Sequence, residues 1–404
     1  MSAAPTVLIL DGHTNQALAC ARSLGRAGYR ILVASHVRWP LAAWSRYSTG
    51  RYRVRGETVD EYARLRKRLS GERVDWVLPL TERACVLCNL ERDEWERSGA
   101  RIACAPEATL DCAFDKWLTV QAAARCGVSV PETRVPTSLE SLHEAASEVG
   151  YPCVVKPRFS HAWDGARFLP NRSCGYVSAK SELEGEVLGR KQNGDWPLLQ
   201  AYVGGTGKGV FALCDRGRVV AWFAHERLRD VRPTGSGSSL RRSIPLEPRL
   251  REPAERLLAE LSWHGPAMVE FRDDGVNPPW LMEVNGRFWT SLELAIQAGV
   301  DFPRLWLDIL SEQTVRPVDD YRTDVTLRWL WGDTRRLLYV LRGRPPGFAG
   351  QFPTRVQGVC EIFGRQPAGT RAEVWQRDDP WPALGEWLQG ASELVSLAFP
   401  ARAH

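Results

Sequence analysis

Residues 267–287 read AMVEFRDDGVNPPWLMEVNGR, and they say more about this chain than any other stretch of its sequence. Two apolar runs flank a turn-rich centre of Asp, Gly, Asn and Pro, which predicts an antiparallel hairpin. Glu270 lies inside the first run and Glu283 inside the second. Because side chains alternate along a strand, Glu283 and Asn285 share a face, and the hairpin places Glu270 near Glu283.

Two carboxylates that converge in an apolar sheet repel each other, and burying them without compensation is unfavourable. A hard cation removes the conflict, because Mg²⁺ takes oxygen ligands from one or two carboxylates and completes its octahedron with water and nucleotide phosphates. We therefore predict a metal site at Glu270 and Glu283, with Arg287 placed where charge develops on a transferring phosphoryl group. The alternative is a pair of solvent-facing glutamates on a surface hairpin, which the bulky apolar neighbours of each glutamate disfavour.

Two lysines add positive charge. Lys116 opens a helix, where a cation opposes the helix dipole unless a phosphate is bound nearby. Lys156 follows two valines in a strand, and a lysine in such surroundings usually has an anionic partner. Each one alone is also compatible with an ordinary surface lysine. Together with the acidic hairpin, they predict a site for nucleotide phosphates.

The N-terminal third alternates β-rich runs with amphipathic helical patterns, which predicts a doubly wound parallel sheet. A nicotinamide site would need G-x-G-x-x-G after the first strand, but that turn offers only Gly12. We therefore expect this sheet to have an architectural or substrate-holding role. The predicted strands are Thr6–Leu10, Arg30–Ser35, Val74–Leu80 and Arg101–Ala105.

Glycines punctuate the middle of the chain. The stretch between Lys156 and Trp196 is either a lid that closes over phosphates or an ordinary surface loop. Residues 204–209 read GGTGKG and do not match a P-loop, because a glycine follows the lysine. Residues 215–218, DRGR, predict a hairpin turn between two further strands.

Length and composition set the broad class. A chain of 404 residues is expected to form two or three packed units, and 44% hydrophobic with 25% charged residues is typical of a globular protein. The net charge of +5 is spread along the chain and marks no basic arm. No apolar run is long enough for a membrane span or a signal peptide, so we expect a cytoplasmic protein.

The ten cysteines are scattered, and in a reducing compartment we expect them to be small buried hydrophobes. Cys85 and Cys88 have CxxC spacing, but the segment around them has helical character. No second CxxC or paired histidine accompanies them in the sequence. We therefore expect neither a redox nor a metal role for this pair.

The order of these motifs resembles the ATP-grasp superfamily over about Phe114–Leu310, together with the parallel-sheet domain before it. The motifs are a lysine that opens a helix, VVKP at 154–157, a glycine loop, LQAYVG at 199–204, VEF at 269–271 and MEVNGR at 282–287. Within that superfamily the chain is most similar to predicted carboxylate–amine ligases. A biotin carboxylase fits less well, because no biotin-carrier signature accompanies the motifs.

The resemblance implies ATP and Mg²⁺ as cofactors, with Mn²⁺ as an alternative ion. It implies that Arg287 steadies an acyl phosphate, with Arg241 as a second candidate because a guanidinium matches phosphate bidentately. Many family members hold the ribose with an acidic residue after the hinge, but this chain has GGTGK at 204–208. The other implied roles are phosphate contacts by Lys116 and Lys156, an adenine-binding hinge of Gln200, Ala201, Tyr202 and Val203 in which the Ala201 and Val203 backbone meets the base, and Mg²⁺ ligation by Glu270, Glu283 and Asn285.

We predict three consecutive parts. These are a Rossmann-like, pre-ATP-grasp parallel-sheet domain over residues 1–113, an α+β ATP-grasp domain over 114–312 with a lid region at about 152–203, and a C-terminal extension over 313–404.

The predicted activity is ATP-dependent ligation of a small carboxylate to a small amine through an acyl phosphate, with neither nucleic acid nor a membrane as partner. The rivals are a phosphotransferase that acts on a small metabolite and a non-catalytic nucleotide-binding regulator. The two glutamates, asparagine and arginine of the hairpin favour catalysis over a regulator. The acceptor pocket has four candidates, each equally compatible with an ordinary loop, cap or surface role: His13, Thr81, Glu82 and Arg227.

Overall fold

The computed structural model describes residues 4–398. The strands are β1 Thr6–Ile9, β2 Arg30–Ser35, β3 Ser48–Arg53, β4 Trp76–Leu78, β5 Arg101–Ile102, β6 Thr133–Arg134, β7 Cys153–Lys156, β8 Gly175–Val177, β9 Leu198–Ala201, β10 Thr206–Asp215, β11 Arg218–Arg232, β12 Ser236–Ser243, β13 Gly265–Asp273, β14 Trp280–Asn285, β15 Thr326–Arg328 and β16 Arg371–Ala372. The helices are α1 Asn15–Arg26, α2 Val59–Arg68, α3 Glu82–Leu90, α4 Arg92–Arg97, α5 Glu107–Phe114, α6 Lys116–Arg125, α7 Leu139–Val149, α8 Lys180–Leu188, α9 Pro248–Glu260, α10 Leu292–Ala298, α11 Phe302–Leu310, α12 Leu330–Arg342, α13 Arg355–Phe363 and α14 Trp381–Ala398, with a 3₁₀ helix at Leu41–Trp44.

The chain divides into two compact units, each built from segments that are not consecutive in sequence. The first unit consists of Met1–Cys104, Arg287–Gly332 and Pro367–His404, and the second of Ala105–Gly286 and Asp333–Gln366. The predicted three-part division follows the order of the motifs along the chain. The contacts between segments in the structure group the residues differently, into these two units. The predicted C-terminal extension is shared between the two units.

A five-stranded sheet of order β3-β2-β1-β4-β5 forms the centre of the first unit, and all its neighbouring strands are parallel. This confirms the parallel sheet predicted from the sequence. The middle strand β1 is fully buried, as expected where helices cover both faces of a sheet. The sequence did not predict β3, because its residues STGRYR alternate between partly buried and exposed at the edge of the sheet.

The second unit contains a larger antiparallel arrangement in which five strands follow the order β14-β13-β10-β11-β12. The predicted hairpin at residues 215–218 is confirmed, since Asp215 pairs with Arg218 across the β10–β11 turn. Arg216 and Gly217 both have positive φ there, of 50° and 83°, as a tight two-residue hairpin turn requires. The predicted β13–β14 hairpin is also present.

A smaller four-stranded sheet, β6-β9-β7-β8, lies within the same unit and spans the region predicted as a lid. Apolar side chains of helices α7 and α8 pack against this sheet. The two helices and the strands together form a separate hydrophobic core. Its buried members are Leu142, Ala145, Ala146, Val149, Cys153, Val155, Val177, Leu183, Val187 and Leu199.

Buried ion pairs tie distant segments together inside each unit. In the first unit, Arg22 of α1 donates through Nε to Asp379 at 2.9 Å, and both side chains are buried. In the second, Arg229 of β11 contacts both carboxylate oxygens of Asp333 in α12, at 2.8 and 2.9 Å. The residues after 332 are therefore packed into the two units as parts of their structure.

Within residues 4–398, no helix combines the length and the apolar character needed to cross a membrane. The cytoplasmic location expected from the sequence stays a prediction.

Candidate functional site

The β13–β14 hairpin positions the two predicted metal-ligating glutamates. Glu270 and Glu283 are direct cross-strand partners, which confirms the predicted juxtaposition. The strand register shifts immediately after Glu270, so the hairpin is irregular at this point. The Asn285 amide donates through Nδ2 to Glu283 Oε1 at 2.9 Å, as expected for residues on one face of β14. Two carboxylates and one amide therefore present oxygen atoms within one short stretch of sheet.

The two predicted phosphate-binding lysines lie in the same recess as Glu283. This recess is partly open to solvent and is lined by Lys116, Lys156, Gln200 and Glu283 together with apolar side chains. Lys116 stands at the first position of α6, and its Nζ donates to Ser160 Oγ at 2.9 Å. Lys156 ends β7. The structure thus assembles cations and carboxylates that are far apart in sequence.

Burial and mutual attraction shift the pKa values of these groups in different directions. Burial lowers the pKa of Lys156, although Glu283 and Glu270 oppose that shift. Burial alone would raise the pKa of Glu283, but Lys116, the Asn285 amide and Lys156 outweigh it and hold the pKa below its ordinary value. The recess is therefore arranged around an ionised Glu283.

Glu270 belongs to a second charge cluster, which sequence reasoning only touched on. Arg227 of β11 donates through Nη2 to Glu270 Oε2, and both side chains are buried. Burial raises the pKa of Glu270, the nearby Glu283 carboxylate adds to this, and Arg227 opposes it. The sequence singled out Arg227 as a candidate for the acceptor pocket. It did not predict that Arg227 pairs with Glu270.

His225 extends the same row of the sheet. Gly209 of β10 is the cross-strand partner of Glu270 on one neighbouring strand and of His225 on the other. The Glu270 and His225 side chains therefore lie on the same face of the sheet, with a residue that has no side chain between them. A Cβ on Gly209 would approach Phe211 Cζ to 2.6 Å and His225 Cδ2 to 3.0 Å, which explains the glycine. His225 is fully buried, and neither ring nitrogen has a hydrogen-bond partner within the described part of the chain. Burial lowers its pKa well below the ordinary value, so the ring is neutral.

The predicted adenine-binding hinge lies at the end of β9. The buried Gln200 side chain donates through Nε2 to Thr133 Oγ1 at 2.8 Å. The Ala201 amide donates to the Glu132 carbonyl at 2.8 Å, and the Tyr202 amide donates to the Pro152 carbonyl at 3.2 Å. Any contact of Ala201 with adenine would therefore use its carbonyl, and the roles of Tyr202 and of the Val203 backbone stay predictions.

The two arginines predicted to act on an acyl phosphate differ in their surroundings. Arg287 follows β14 and belongs to the first unit, where its Nη2 lies 3.6 Å from Glu82 Oε1. Arg241 of β12 is fully buried in the second unit, where it is the cross-strand partner of Arg227 and donates through Nη1 to the Ser238 carbonyl at 2.8 Å. Both assignments stay predictions.

The donor set at Glu270, Glu283 and Asn285 fits Mg²⁺ by its chemistry. In residues 4–398 no group of three or more His, Cys, Asp and Glu side chains is arranged to hold a metal ion. Mg²⁺ does not need such a cage, because it keeps several waters and is typically held by one or two carboxylates plus substrate phosphates. The carboxylate pair of buried Glu270 and partly buried Glu283, with lysines beside Glu283, meets that requirement.

Comparison with known proteins identifies the fold. Residues 196–332 match the family model "ATP-grasp in the biosynthetic pathway with Ter operon". The structure resembles N5-carboxyaminoimidazole synthetase from Staphylococcus aureus complexed with ADP, with a TM-score of 0.63, 13% identity and coverage of 81% of this chain and 82% of that one. The chain has an ATP-grasp fold. The ATP-grasp resemblance stated from the motifs is thereby confirmed.

Two further relatives show how far this likeness extends. The biotin carboxylase domain of Hydrogenobacter thermophilus 2-oxoglutarate carboxylase, in complex with MgADP and bicarbonate, gives a TM-score of 0.62 at 17% identity and covers 79% of this ATP-grasp chain and 73% of its own. The carbamoyl phosphate synthase large chain of Rubrobacter xylanophilus is 24% identical over 373 residues, which is 85% of this chain. This chain spans 33% of that relative's length. At these identities the structural likeness establishes the ATP-grasp fold.

Proposed function

We propose that this ATP-grasp protein is an ATP- and Mg²⁺-dependent ligase that activates a small carboxylate as an acyl phosphate and joins it to an amine. The observation that carries the proposal is the pairing of Glu270 with Glu283 beside the recess that Lys116 and Lys156 line. Glu270 is buried, Glu283 and the two lysines are partly buried, and charged groups that are withdrawn from water need partners of opposite charge. A metal-bound nucleoside triphosphate supplies positive charge to the carboxylates and negative charge to the lysines.

Each side chain has a role in the proposed reaction. Lys116 and Lys156 bind and orient the phosphates, so that the substrate carboxylate attacks the terminal phosphorus in line, the bond to the bridging oxygen breaks and ADP leaves. Glu270, Glu283 and Asn285 would hold Mg²⁺, which would neutralise the charge that develops on the phosphoryl oxygens. Arg287 and Arg241 are the proposed contacts to the acyl phosphate. The amine nitrogen then attacks the acyl carbon and expels inorganic phosphate.

Arg227 and His225 extend this proposal beyond the residues predicted from sequence. Arg227 donates a direct charge-assisted hydrogen bond to Glu270 and opposes the rise in pKa that burial causes. The neutral His225 ring is buried on the same face of the sheet as Glu270, and both its donor and its acceptor nitrogen lack a hydrogen-bond partner in the described part of the chain. We propose that these two side chains orient the bound carboxylate or its acyl phosphate.

The names of the relatives support carbon–nitrogen bond formation. N5-carboxyaminoimidazole synthetase and carbamoyl phosphate synthase are both named for products that carry a carboxyl-derived carbon on nitrogen or phosphate. A phosphotransferase and a nucleotide-binding regulator are the competing functions. They differ from a ligase in whether an amine is needed for turnover and in whether ADP is formed.

The test is ADP and phosphate release from Mg²⁺-ATP across a panel of carboxylates, each with and without a pool of amines. Release that requires both an acid and an amine supports the ligase. Phosphorylated product formed without an amine would replace it with the phosphotransferase. ATP binding without ADP formation across the whole panel, in a protein whose Glu283→Gln variant binds ATP equally well, would favour the regulator.

A further inference from the structure

A pair of thiols in the first unit lies outside the ATP-grasp chemistry. Cys85 is in the first half of α3 and is fully buried, whereas Cys104 follows β5 and is partly exposed. Asn89 of α3 connects the two cysteines, because its Nδ2 donates to the Cys85 carbonyl at 3.0 Å and lies 3.5 Å from the Cys104 sulfur. The parallel pairing of β4 with β5 brings the two segments together, because α3 follows the carboxyl end of β4 and Cys104 follows that of β5.

Two nitrogen donors also surround the Cys104 sulfur. Asn89 Nδ2 lies 3.5 Å from Sγ of Cys104, and Arg92 Nη2 lies 3.8 Å from it. Arg92 is fixed in this position by a second bond, at 3.3 Å, to the Cys104 carbonyl. The neighbouring Cys85 thiol, followed by Arg92 and Asn89, lowers the pKa of Cys104 against the opposing effect of desolvation. A partly exposed cysteine whose sulfur lies next to a guanidinium has the surroundings of a reactive cysteine.

The other cysteines of this region differ. Cys88, the CxxC neighbour of Cys85, is fully buried, and burial raises its pKa well above the ordinary value. Burial likewise raises the pKa of Cys153 to about 11 and that of Cys214 to about 12. Cys174 and Cys360 are exposed. The donor arrangement at Cys104 therefore sets it apart from the thiols that burial alone controls.

We propose that Cys104 and Cys85 form a peroxide-sensitive dithiol that closes reversibly to a disulfide. The Cys104 thiolate attacks one oxygen of hydrogen peroxide, which breaks the O–O bond and yields a sulfenic acid and hydroxide. The Cys85 sulfur then attacks the Cys104 sulfur and expels the sulfenic oxygen as water. In total, two thiols lose two electrons and two protons, and one peroxide is reduced to two waters.

The roles of the two sulfurs follow from their exposure. Peroxide reaches the partly exposed Cys104, while the buried Cys85 meets only the sulfur that is already beside it. The CxxC partner Cys88 is not the resolving thiol in this arrangement. This inference does not depend on the ligase proposal, because its readout is the state of the thiols.

The experiment uses full-length protein in which the two exposed cysteines are replaced, Cys174→Ser with Cys360→Ser. The protein is treated with a small excess of hydrogen peroxide, its remaining thiols are blocked, and it is digested with trypsin without reduction. We expect residues 84–92 and 102–116 to be cross-linked, with two thiols lost per chain and full recovery in dithiothreitol. Fragment ions within the first peptide distinguish Cys85 from Cys88, and those within the second distinguish Cys104 from Cys112.

Three variants separate the roles. The matched control Cys88→Ser retains the cross-link, whereas Cys85→Ser abolishes it and leaves Cys104 as a sulfenic acid that dimedone captures. Arg92→Met slows alkylation of Cys104 at neutral pH by about threefold for each unit by which its thiol pKa rises, since lost thiolate is partly offset by greater nucleophilicity. Thermal unfolding of each variant checks that it is folded.

Two results would overturn the inference. One is a cross-link that survives in Cys85→Ser and disappears in Cys88→Ser. The other is Cys104 that dimedone does not label in Cys85→Ser and that, in the chain retaining all ten cysteines, reacts no faster than Cys174 and Cys360. If Cys85→Ser does not fold, the cross-link map of the protein that retains Cys85 and Cys88 decides by itself.

Discussion

Glu270 and Glu283 are direct cross-strand partners, yet their pKa values are shifted in opposite directions, upward for Glu270 and downward for Glu283. Glu270 is buried and Glu283 is partly buried, and burial raises the pKa of each, so the opposite directions come from the neighbours. Glu283 is attracted by two lysines and accepts a hydrogen bond from Asn285, whereas Glu270 relies on Arg227 alone among its close partners and is repelled by Glu283. The two carboxyl groups therefore differ in how readily they ionise before any ligand binds.

The first prediction concerns Glu283. Glu283→Gln removes one anionic ligand but keeps the volume, so ATP turnover is expected to fall by roughly 100-fold or more. ADP release under saturating Mg²⁺ and the substrates found in the panel measures this. The matched control is Glu226→Gln, because Glu226 lies on β11 with its side chain on the other face from Arg227 and pairs with Arg242. Equal losses in the two variants would contradict a metal-ligating role for Glu283.

The second prediction concerns Lys156. Lys156→Met keeps an aliphatic side chain at the end of β7 but removes the charge that faces the phosphates, so ATP affinity is expected to fall about tenfold to 100-fold. Isothermal titration with Mg²⁺-ATP measures the dissociation constant. Lys180→Met, at the exposed start of α8, is the control and should bind ATP as the unmodified chain does. Unchanged affinity in Lys156→Met would remove Lys156 from the phosphate site.

The third prediction concerns the buried pair of Arg227 and Glu270. Arg227→Met leaves Glu270 buried without its close cation, and the free energy of unfolding is expected to fall by about 3 kcal/mol. Urea denaturation in the absence of Mg²⁺ measures this change. Addition of Glu270→Gln to Arg227→Met should recover most of the loss, because the uncompensated charge is then gone.

A surface pair provides the comparison. Arg242 and Glu226 form an ion pair in which the arginine is 49% exposed, so Arg242→Met should lower the free energy of unfolding by less than about 1 kcal/mol. If Arg227→Met lowers the free energy of unfolding no more than Arg242→Met does, the buried pair does not stabilise the fold as much as its burial implies.

The fourth prediction concerns pH and Glu386 of α14. Burial raises its pKa to about 8, the neighbouring Glu373 adds to this, and the hydrogen bond from Trp329 Nε1 at 2.5 Å opposes it. The folded state thus holds a proton that the unfolded chain releases near pH 4.5. The contribution of Glu386 to stability is therefore most favourable below that pH and is lost as the pH rises through 8.

Glu386→Gln removes this dependence. The difference in the free energy of unfolding between Glu386→Gln and the unmodified chain should grow by up to about 1.4 kcal/mol per pH unit between pH 5 and 8 and then level off. Urea denaturation at four pH values measures the slope, with Glu255→Gln on the exposed face of α9 as control. A difference that does not vary with pH would show that Glu386 is ionised in the folded protein.

Local sequence patterns predicted the elements that carry the site. The β13–β14 hairpin was predictable because its turn residues and apolar runs lie within about twenty positions of each other, which fixes Glu270 opposite Glu283. The first parallel sheet was predictable from its alternation of strands and helices. The edge strand β3 was not, because its polar residues lack a hydrophobic signature.

Contacts between residues that are distant in sequence were not predictable. Arg227 and Glu270 are 43 positions apart and meet only because β10 lies between their strands with a glycine at the crossing point. Asn89 bonds to the Cys85 carbonyl and lies beside the Cys104 sulfur, and this proximity of the two cysteines depends on the order of β4 and β5 in the sheet. Such contacts follow from strand order, which local periodicity does not encode.

The interleaved composition of the two units has a consequence for biosynthesis. A ribosome that has completed the first sheet at Cys104 must still synthesise about 180 residues of the second unit before Arg287–Gly332 emerges. At about 5–20 residues per second, that delay is on the order of ten seconds or more. During this time Arg22 of α1 has no Asp379 to pair with. The nascent N-terminal sheet is therefore the part of this protein that most needs protection by chaperones during translation.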